Sequence, residues 1–241
     1  MIKIEYLFPE VANLYGETFN IKYIENSIEN VKIIETSLTD EPYFVKENVD
    51  MLYMASMSEK AQELVIEKLK PYKDKIKELI NEKKVILLTG NALEIFGNYI
   101  EDEKKGKIEA LGIIDTFAKR YMQNRYNTLF LGELNAKEKI KILGFKATFS
   151  FSYGDNSSNY AFKSIKGCGI NKESSLEGVR INNLFGTYLM GPVLIENPNF
   201  TKYIMKLLGV ENPKLQFEKE VIECYNEKLE KFQRDSVDYL Q

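Results

Sequence analysis

The first hundred residues alternate short apolar runs with amphipathic stretches, and this alternation restricts the fold of the 241-residue chain more than any other feature. The runs 2–8, 31–37, 49–55 and 84–90 are typical of strands. The last two are apolar throughout, as expected of strands buried on both faces. The order β-α-β-β-α-β-α predicts an α/β fold of flavodoxin-like type, with a mixed, mostly parallel sheet flanked by helices.

The longest amphipathic stretch runs from about residue 59 to 83 and has apolar residues at helical spacing. Pro71 lies inside it and predicts a kink or a break, because proline lacks the backbone N–H of a helix interior. Shorter helices are predicted over 20–30 and over 91–97, where Gly97 ends the second one.

Strand-like runs and turns dominate residues 106–190, and helices are predicted again over 199–208 and about 214–233. The last helix carries one apolar stripe, which indicates core packing and leaves a partner groove as the alternative. The stripe consists of Phe217, Val221, Ile222, Tyr225, Leu229 and Phe232. No linker or repeat interrupts the chain, so we expect one domain spanning 1–241.

Composition excludes several classes of function. The net charge is −3 and the pI about 5.4, so no basic field favours binding of nucleic acid. No run of about 18 apolar residues predicts a membrane span, and the first residues do not resemble a signal peptide, so we expect a cytoplasmic protein. Cys168 and Cys224 lie far apart and outside any metal-ligand spacing, so we expect no metal and no cofactor.

The chain contains no histidine. Histidine is the usual general base near neutral pH and a usual ligand of zinc. Nucleophilic machinery of the Ser-His or Cys-His type is therefore excluded, and any catalytic base would have to be Lys, Asp, Glu or Tyr.

Two turns are predicted where ligands bind in this kind of fold, at the carboxyl ends of parallel strands. One turn follows "VILLT" at Gly90, and the other follows "GTYL" at Met190. The Gly90 turn lies between a predicted strand and a predicted helix. Enzymes use this elbow to present a Ser or Cys nucleophile.

The chain resembles, up to about residue 209, the class I (triad-type) glutamine amidotransferases of the CobB/CobQ-like group. Within that group it is most similar to the glutaminase subunit, of the GatD type, of lipid II isoglutaminyl synthase. Segments 7–21, 51–62, 85–97 and 144–153 stand where the family has its opening motif, oxyanion loop, nucleophile elbow and Gly-Phe-Glu-Asn-His motif. The most specific match is 176–198, which keeps Glu-Gly, Gly-Thr-Tyr-Leu, Gly-Pro and Asn-Pro at the family's spacing.

The chemistry that the resemblance implies is missing from this chain. The family's catalytic cysteine falls on Gly90 and its catalytic histidine on Met190. The remaining cleft positions differ as well: the oxyanion-loop glycines fall on Ala55 and Ser56, the elbow's glycine pair on Asn91 and Ala92, and the Tyr-Gln that follows on Leu93 and Glu94. Glycine cannot be acylated, and the Met thioether does not exchange a proton at neutral pH.

The resemblance therefore implies a catalytically degenerate pseudo-glutaminase. Its family works with a Mur-ligase-like partner that amidates a cell-wall precursor, so a structural or regulatory role beside such a partner is expected. Two alternatives remain open: an active glutaminase or amidohydrolase using non-His chemistry, and a small-molecule binding module.

For the enzymatic alternative, Cys168 and Thr89 are the candidate nucleophiles, although neither has a histidine to activate it. Glu94, Asp50, Glu59 and Lys60 are expected near the cleft, with surface or capping roles as the simpler interpretation. Met190 and Leu93 are expected to make the cleft more apolar. We expect neighbouring side chains to fill it, with a retained small ligand as the alternative.

Overall fold

The computed structural model describes residues 1–234 and is built around a six-stranded sheet. In sheet order the strands are β13 (Val179–Ile181), β14 (Leu184–Thr187), β4 (Val85–Thr89), β3 (Met51–Met54), β1 (Ile2–Leu7) and β2 (Val31–Thr36). All neighbours in this sheet run parallel except β13, which is antiparallel to β14. The predicted α/β fold with a mixed, mostly parallel sheet is confirmed.

The helices flank this sheet. They are α1 (Thr18–Ser27), α2 (Glu59–Leu69), α3 (Lys73–Asn81), α4 (Ala92–Ile95), α5 (Val193–Glu196), α6 (Pro198–Leu207) and α7 (Glu218–Arg234). The predicted break at Pro71 is confirmed, because a 3₁₀ turn over Lys70–Tyr72 separates α2 from α3. The side chain of Ser58 accepts a hydrogen bond from the N–H of Ala61 and caps α2.

The strand-rich segment forms two further four-stranded sheets. One has the order β10 (Ser150–Tyr153), β7 (Phe117–Arg120), β5 (Tyr99–Asp102) and β6 (Gly106–Glu109). The other has the order β12 (Leu176–Glu177), β11 (Phe162–Lys166), β8 (Tyr126–Leu134) and β9 (Lys141–Thr148). Periodicity predicted strands here without assigning them to separate sheets.

The C-terminal helix differs from its prediction over 214–233, because it begins only at Glu218. The N–H of Leu215 donates to the Glu218 carboxylate at 3.0 Å, and Phe217 has a left-handed φ of 51°, which ends helical geometry there. The predicted stripe is wrong at Phe217, whose side chain is 68% exposed. Tyr225 is buried against β8 and β9, so the predicted core packing of the helix is correct at that position.

The predicted single domain extends to residue 241, and its last seven residues lie outside the described ones.

The sheet order places three loops side by side. Strands β14, β4 and β3 are parallel neighbours, so their carboxyl ends meet at one edge. The residues that follow these ends are Met190, Gly90 and Ser56.

In residues 1–234, no helix is both long and apolar enough to cross a membrane.

Candidate functional site

Gly90 forms the turn between β4 and α4 and has a φ of +61°. Its N–H donates a hydrogen bond to the carbonyl of Leu189 at 3.1 Å, which ties the turn to the loop after β14. Glycine reaches this left-handed conformation without the steric cost that a side chain brings. The backbone is thus a strand-turn-helix elbow.

The space above the elbow is occupied. A Cβ placed on residue 90 would lie 2.5 Å from the Cβ of Ser56 and 3.4 Å from the Cε of Met190. The first separation is shorter than Cβ atoms show in real structures, so Ser56 would have to move before residue 90 could carry a side chain. The structure thus brings Gly90, Met190 and Ser56 together and leaves no room between Gly90 and Ser56.

Ser56 is held in that place by Glu17, at the start of α1. Both residues are fully buried, and the Ser56 hydroxyl donates to the Glu17 carboxylate. The other carboxylate oxygen accepts from the N–H of Tyr15 at 2.6 Å. Burial raises the pKa of Glu17. The hydrogen bonds therefore fix Ser56 against the elbow.

A small cavity of about 130 Å³ remains beside the elbow. Of the predicted site residues, Gly90, Asn91, Met190 and Glu59 line it. Met190 is only 5% exposed and bridges to Phe145 of β9 through its backbone. The predicted filling of the cleft by neighbouring side chains is therefore partial, since Met190 borders the cavity without closing it.

The other predicted cleft positions do not line the cavity. Ala55, Ser56, Ala92, Leu93 and Glu94 are all buried. The expectation that Leu93 makes the cleft more apolar is wrong, because its side chain packs against Gly186 of β14, where a Cβ would collide with it.

Glu94 is the centre of a buried polar network, so the surface role considered for it is wrong. Glu94 is only 3% exposed to solvent. One carboxylate oxygen accepts hydrogen bonds from the Ser150 hydroxyl and from the Tyr188 hydroxyl, the latter at 2.9 Å. The other carboxylate oxygen accepts a hydrogen bond from the Gln62 amide at 2.9 Å. Burial raises the pKa of Glu94, and these hydrogen bonds partly oppose the rise.

Gln62 connects Glu94 to a charged cluster at the base of α2. Its carbonyl oxygen accepts from the buried guanidinium of Arg120 at 2.7 Å. Arg120 also pairs with Glu63 at 2.9 Å and with Asp102 at 3.1 Å. These contacts anchor α2 to the sheet that carries β5 and β7.

A buried ion pair lies on the far side of Tyr188. The Lys146 ammonium contacts the Glu177 carboxylate and donates to the carbonyls of Cys168 and Gly169, each at 2.7 Å. Glu177 also accepts from the hydroxyl of Thr187 at 2.8 Å and from the N–H of Tyr188 at 2.7 Å. The pair fixes the strand that leads to Met190.

The candidate nucleophiles and Asp50 lie elsewhere. Cys168 is buried near Lys146, and Thr89 is buried with its hydroxyl 3.4 Å from that of Tyr53; neither lines the cavity. The expectation that Asp50 lies near the cleft is wrong. It precedes β3, at the opposite end of the sheet, where it accepts from the N–H of Lys3 at 2.9 Å.

Sequence reasoning missed most of the residues that line the cavity. Ser150, Tyr188 and Arg125 line the cavity together with Thr148. Tyr188 lies two residues before Met190, so its place in "GTYLM" was the one available signal. Ser150 and Arg125 reach the site only through the pairing of distant strands, which no local pattern records.

The chemistry of the site follows from the polar residues that line the cavity. They are the hydroxyl-bearing Tyr15, Ser58, Thr148, Ser150 and Tyr188, together with Glu59 and Arg125. No thiol and no imidazole lies there, since histidine is absent from the sequence and both cysteines lie outside the lining. Among residues 1–234, no group of three or more Cys, Asp or Glu side chains could hold a metal ion.

Solved structures define the class of fold. A PurLQS structure from Thermotoga maritima matches with a TM-score of 0.59 and 11% identity, covering 86% of this chain and 99% of that chain. A structure described as a glutamine amidotransferase matches with a TM-score of 0.55 and 13% identity, covering 86% and 99%. The fold is that of the class I glutamine amidotransferases.

A family model narrows the class. The CobB/CobQ-like glutamine amidotransferase domain matches residues 3–198, and the chain belongs to that family. Two relatives are named lipid II isoglutaminyl synthase (glutamine-hydrolyzing) subunit GatD. The one from Streptococcus pneumoniae is 27% identical over 82% of this chain and 76% of its own length. The one from Staphylococcus aureus is 25% identical over 85% and 83%. The predicted resemblance is confirmed.

Proposed function

We propose that this chain is a catalytically degenerate glutamine amidotransferase-like subunit. It acts as a structural or regulatory partner of a Mur-ligase-like amidating enzyme that modifies a cell-wall precursor. The relatives' names support the setting, because both are subunits of lipid II isoglutaminyl synthase. The loss of activity is supported by the elbow, where Gly90 bears no side chain and Ser56 occupies the adjoining space.

The proposed loss of activity depends on two positions. An acyl-enzyme requires a nucleophile at the elbow and a group that exchanges protons with it. Gly90 cannot supply the first and the Met190 thioether cannot supply the second. Removing members of such a catalytic unit costs several orders of magnitude in rate.

A glutaminase assay on the purified chain tests this part. Ammonia release from glutamine is expected to stay at the level of a no-protein control. Turnover that disappears in Cys168→Ala, Thr89→Ala or Glu94→Gln would overturn the degenerate assignment.

The partner is tested by co-expression with a Mur-ligase-like protein of the same genome. We expect the two chains to copurify in equal amounts, and the ligase to amidate its substrate with supplied ammonia and not with glutamine. Purification of the chain alone from its native cells, in the presence of that ligase, would contradict the proposed assembly.

One observation favours an enzymatic alternative. The Ser150 hydroxyl lines the cavity and donates to the buried Glu94 carboxylate, an arrangement of a hydroxyl and a carboxylate base without histidine. Ser150→Ala distinguishes the two functions, since it abolishes turnover only if the cavity is a working site.

A further inference from the structure

A second and larger depression lies beside the cavity and outside the elbow. It measures about 750 Å³, within the range of roughly 300–1,000 Å³ that small-molecule sites occupy. Its walls come from the turn after β7, from β10 and from the turn after Gly169. We call it the aromatic groove, after Tyr121, Phe151 and Tyr153 in its lining.

Two cations line the aromatic groove and rest on ring faces, and one of them, Arg125, lies at the border with the elbow cavity and lines both. The Arg125 guanidinium carbon lies 5.7 Å from the ring centre of Tyr15 and 5.5 Å from that of Phe149. The Lys172 ammonium lies 5.0 Å from the ring centre of Tyr126 and 5.6 Å from that of Phe151. Aromatic faces hold a cation in place without using its N–H donors.

Neither of these cations forms an ion pair within residues 1–234, which sets them apart from lysines in the sheet that carries β10. There, Lys119 pairs with Glu101 and Lys107 with Glu109, each at 3.0 Å. The groove does contain one carboxylate, Glu173, and it lies beyond ion-pair distance of both cations. The groove thus keeps two cations against one anion on a chain whose net charge is −3.

We propose that the aromatic groove binds an organic anion, a carboxylate or a phosphate carried on a ring-bearing body. Arg125 and Lys172 take the anionic group through charge-assisted hydrogen bonds, which are the stronger class of hydrogen bond. The rings of Tyr121, Phe151 and Tyr153 contact the body, and the amides of Gln123 and Asn124 lie in the same lining to meet its polar edge. This site needs neither glutamine chemistry nor a partner subunit, so it stands or falls apart from the proposed function.

Isothermal titration of the full chain with two ring-bearing anions tests the site. Uridine monophosphate represents the phosphate source and N-acetyl-Glu-Tyr the carboxylate source, with uridine and N-acetyl-Gln-Tyr-amide as uncharged counterparts. We expect one charged probe to bind at low millimolar concentration or better, its uncharged counterpart not to bind, and binding to weaken as salt rises. The probe that binds identifies the source of the anion.

Variants assign the binding to the groove. Arg125→Gln and Lys172→Gln should each weaken binding about tenfold, the size of one charge-assisted hydrogen bond. Lys163→Gln is the matched control, because Lys163 is an exposed lysine of β11 outside the groove, and it should bind as the unmodified chain does. All three side chains are at the surface, so thermal melts without ligand should agree within a few degrees, about the size of a lost cation–π contact.

Two results would overturn the proposal. One is the failure of both charged probes to bind at low millimolar concentration. The other is binding that survives the combined Arg125→Gln and Lys172→Gln substitutions, which would place the anion elsewhere on the chain.

Discussion

Tyr188 lies between two buried carboxylates that are stabilised in different ways. On one side its N–H donates to Glu177, which is ion-paired with Lys146. On the other side its hydroxyl donates to Glu94, whose remaining donors are the neutral Ser150 and Gln62. A cation balances the first charge directly, whereas the second depends on neutral dipoles. The first arrangement fixes the fold, and the second borders the cavity and leaves a carboxyl whose pKa is raised.

The largest effect is expected on the ion-paired side. Lys146→Met should lower the free energy of unfolding by about 3–5 kcal/mol, because it leaves the buried Glu177 charge without its cation. Urea unfolding measures the loss. The double substitution Lys146→Met and Glu177→Leu should recover much of it, since an apolar pair is compatible with burial. A cost as small as that of the exposed Lys163→Met would show that the pair contributes little.

The elbow is expected to give the next largest effect. Gly90→Cys should cost roughly 2–4 kcal/mol, combining overpacking against Ser56 with a side chain in the left-handed region. Ser56→Gly by itself removes the hydrogen bond to Glu17, so chemical denaturation of both single variants and the double variant isolates the overpacking part, and the double variant should be more stable than the sum of the two losses predicts. Additive losses would mean that the space above Gly90 is open.

The hydroxyl of Tyr188 should contribute less. Tyr188→Phe removes the donor to Glu94 and the hydrogen bond to Ser152, and should cost about 1 kcal/mol. Tyr99→Phe is the matched control on a half-buried ring, and a difference between the two variants in urea unfolding isolates the buried hydrogen bonds. Identical urea midpoints would show that the hydrogen bonds of the Tyr188 hydroxyl to Glu94 and Ser152 do not stabilise the fold.

The smallest effect is expected in the pH dependence of the free energy of unfolding. Burial raises the folded-state pKa of Glu94, so the stability that its protonation provides is complete below the unfolded pKa and is lost as the pH rises through the folded value. Glu94→Gln cannot titrate. Relative to the unmodified chain, this variant should therefore gain stability as the pH rises above about 4.5. Parallel pH profiles of the two proteins would show that Glu94 does not titrate in that window.

The extent of sequence prediction follows from the range of the interactions involved. The break at Pro71 and the strand at Val85–Thr89 depend on local preferences, and both were predicted. The late start of α7 depends on a bond from Leu215 to Glu218, which spacing alone does not reveal. At the site, the turn at Gly90 could be predicted because it follows an apolar run. The burial of Glu94 could not, because Ser150 and Tyr188 reach it from distant segments.

Under the proposed function, the contact between Ser56 and the elbow has an evolutionary consequence. A thiol at position 90 fits only after Ser56 has become smaller, and it gains a proton acceptor only after Met190 has been replaced. No single substitution on this path restores turnover, and a cysteine gained first would lower stability. With Ser56 in the space beside Gly90, selection acting on one substitution at a time cannot restore glutaminase activity.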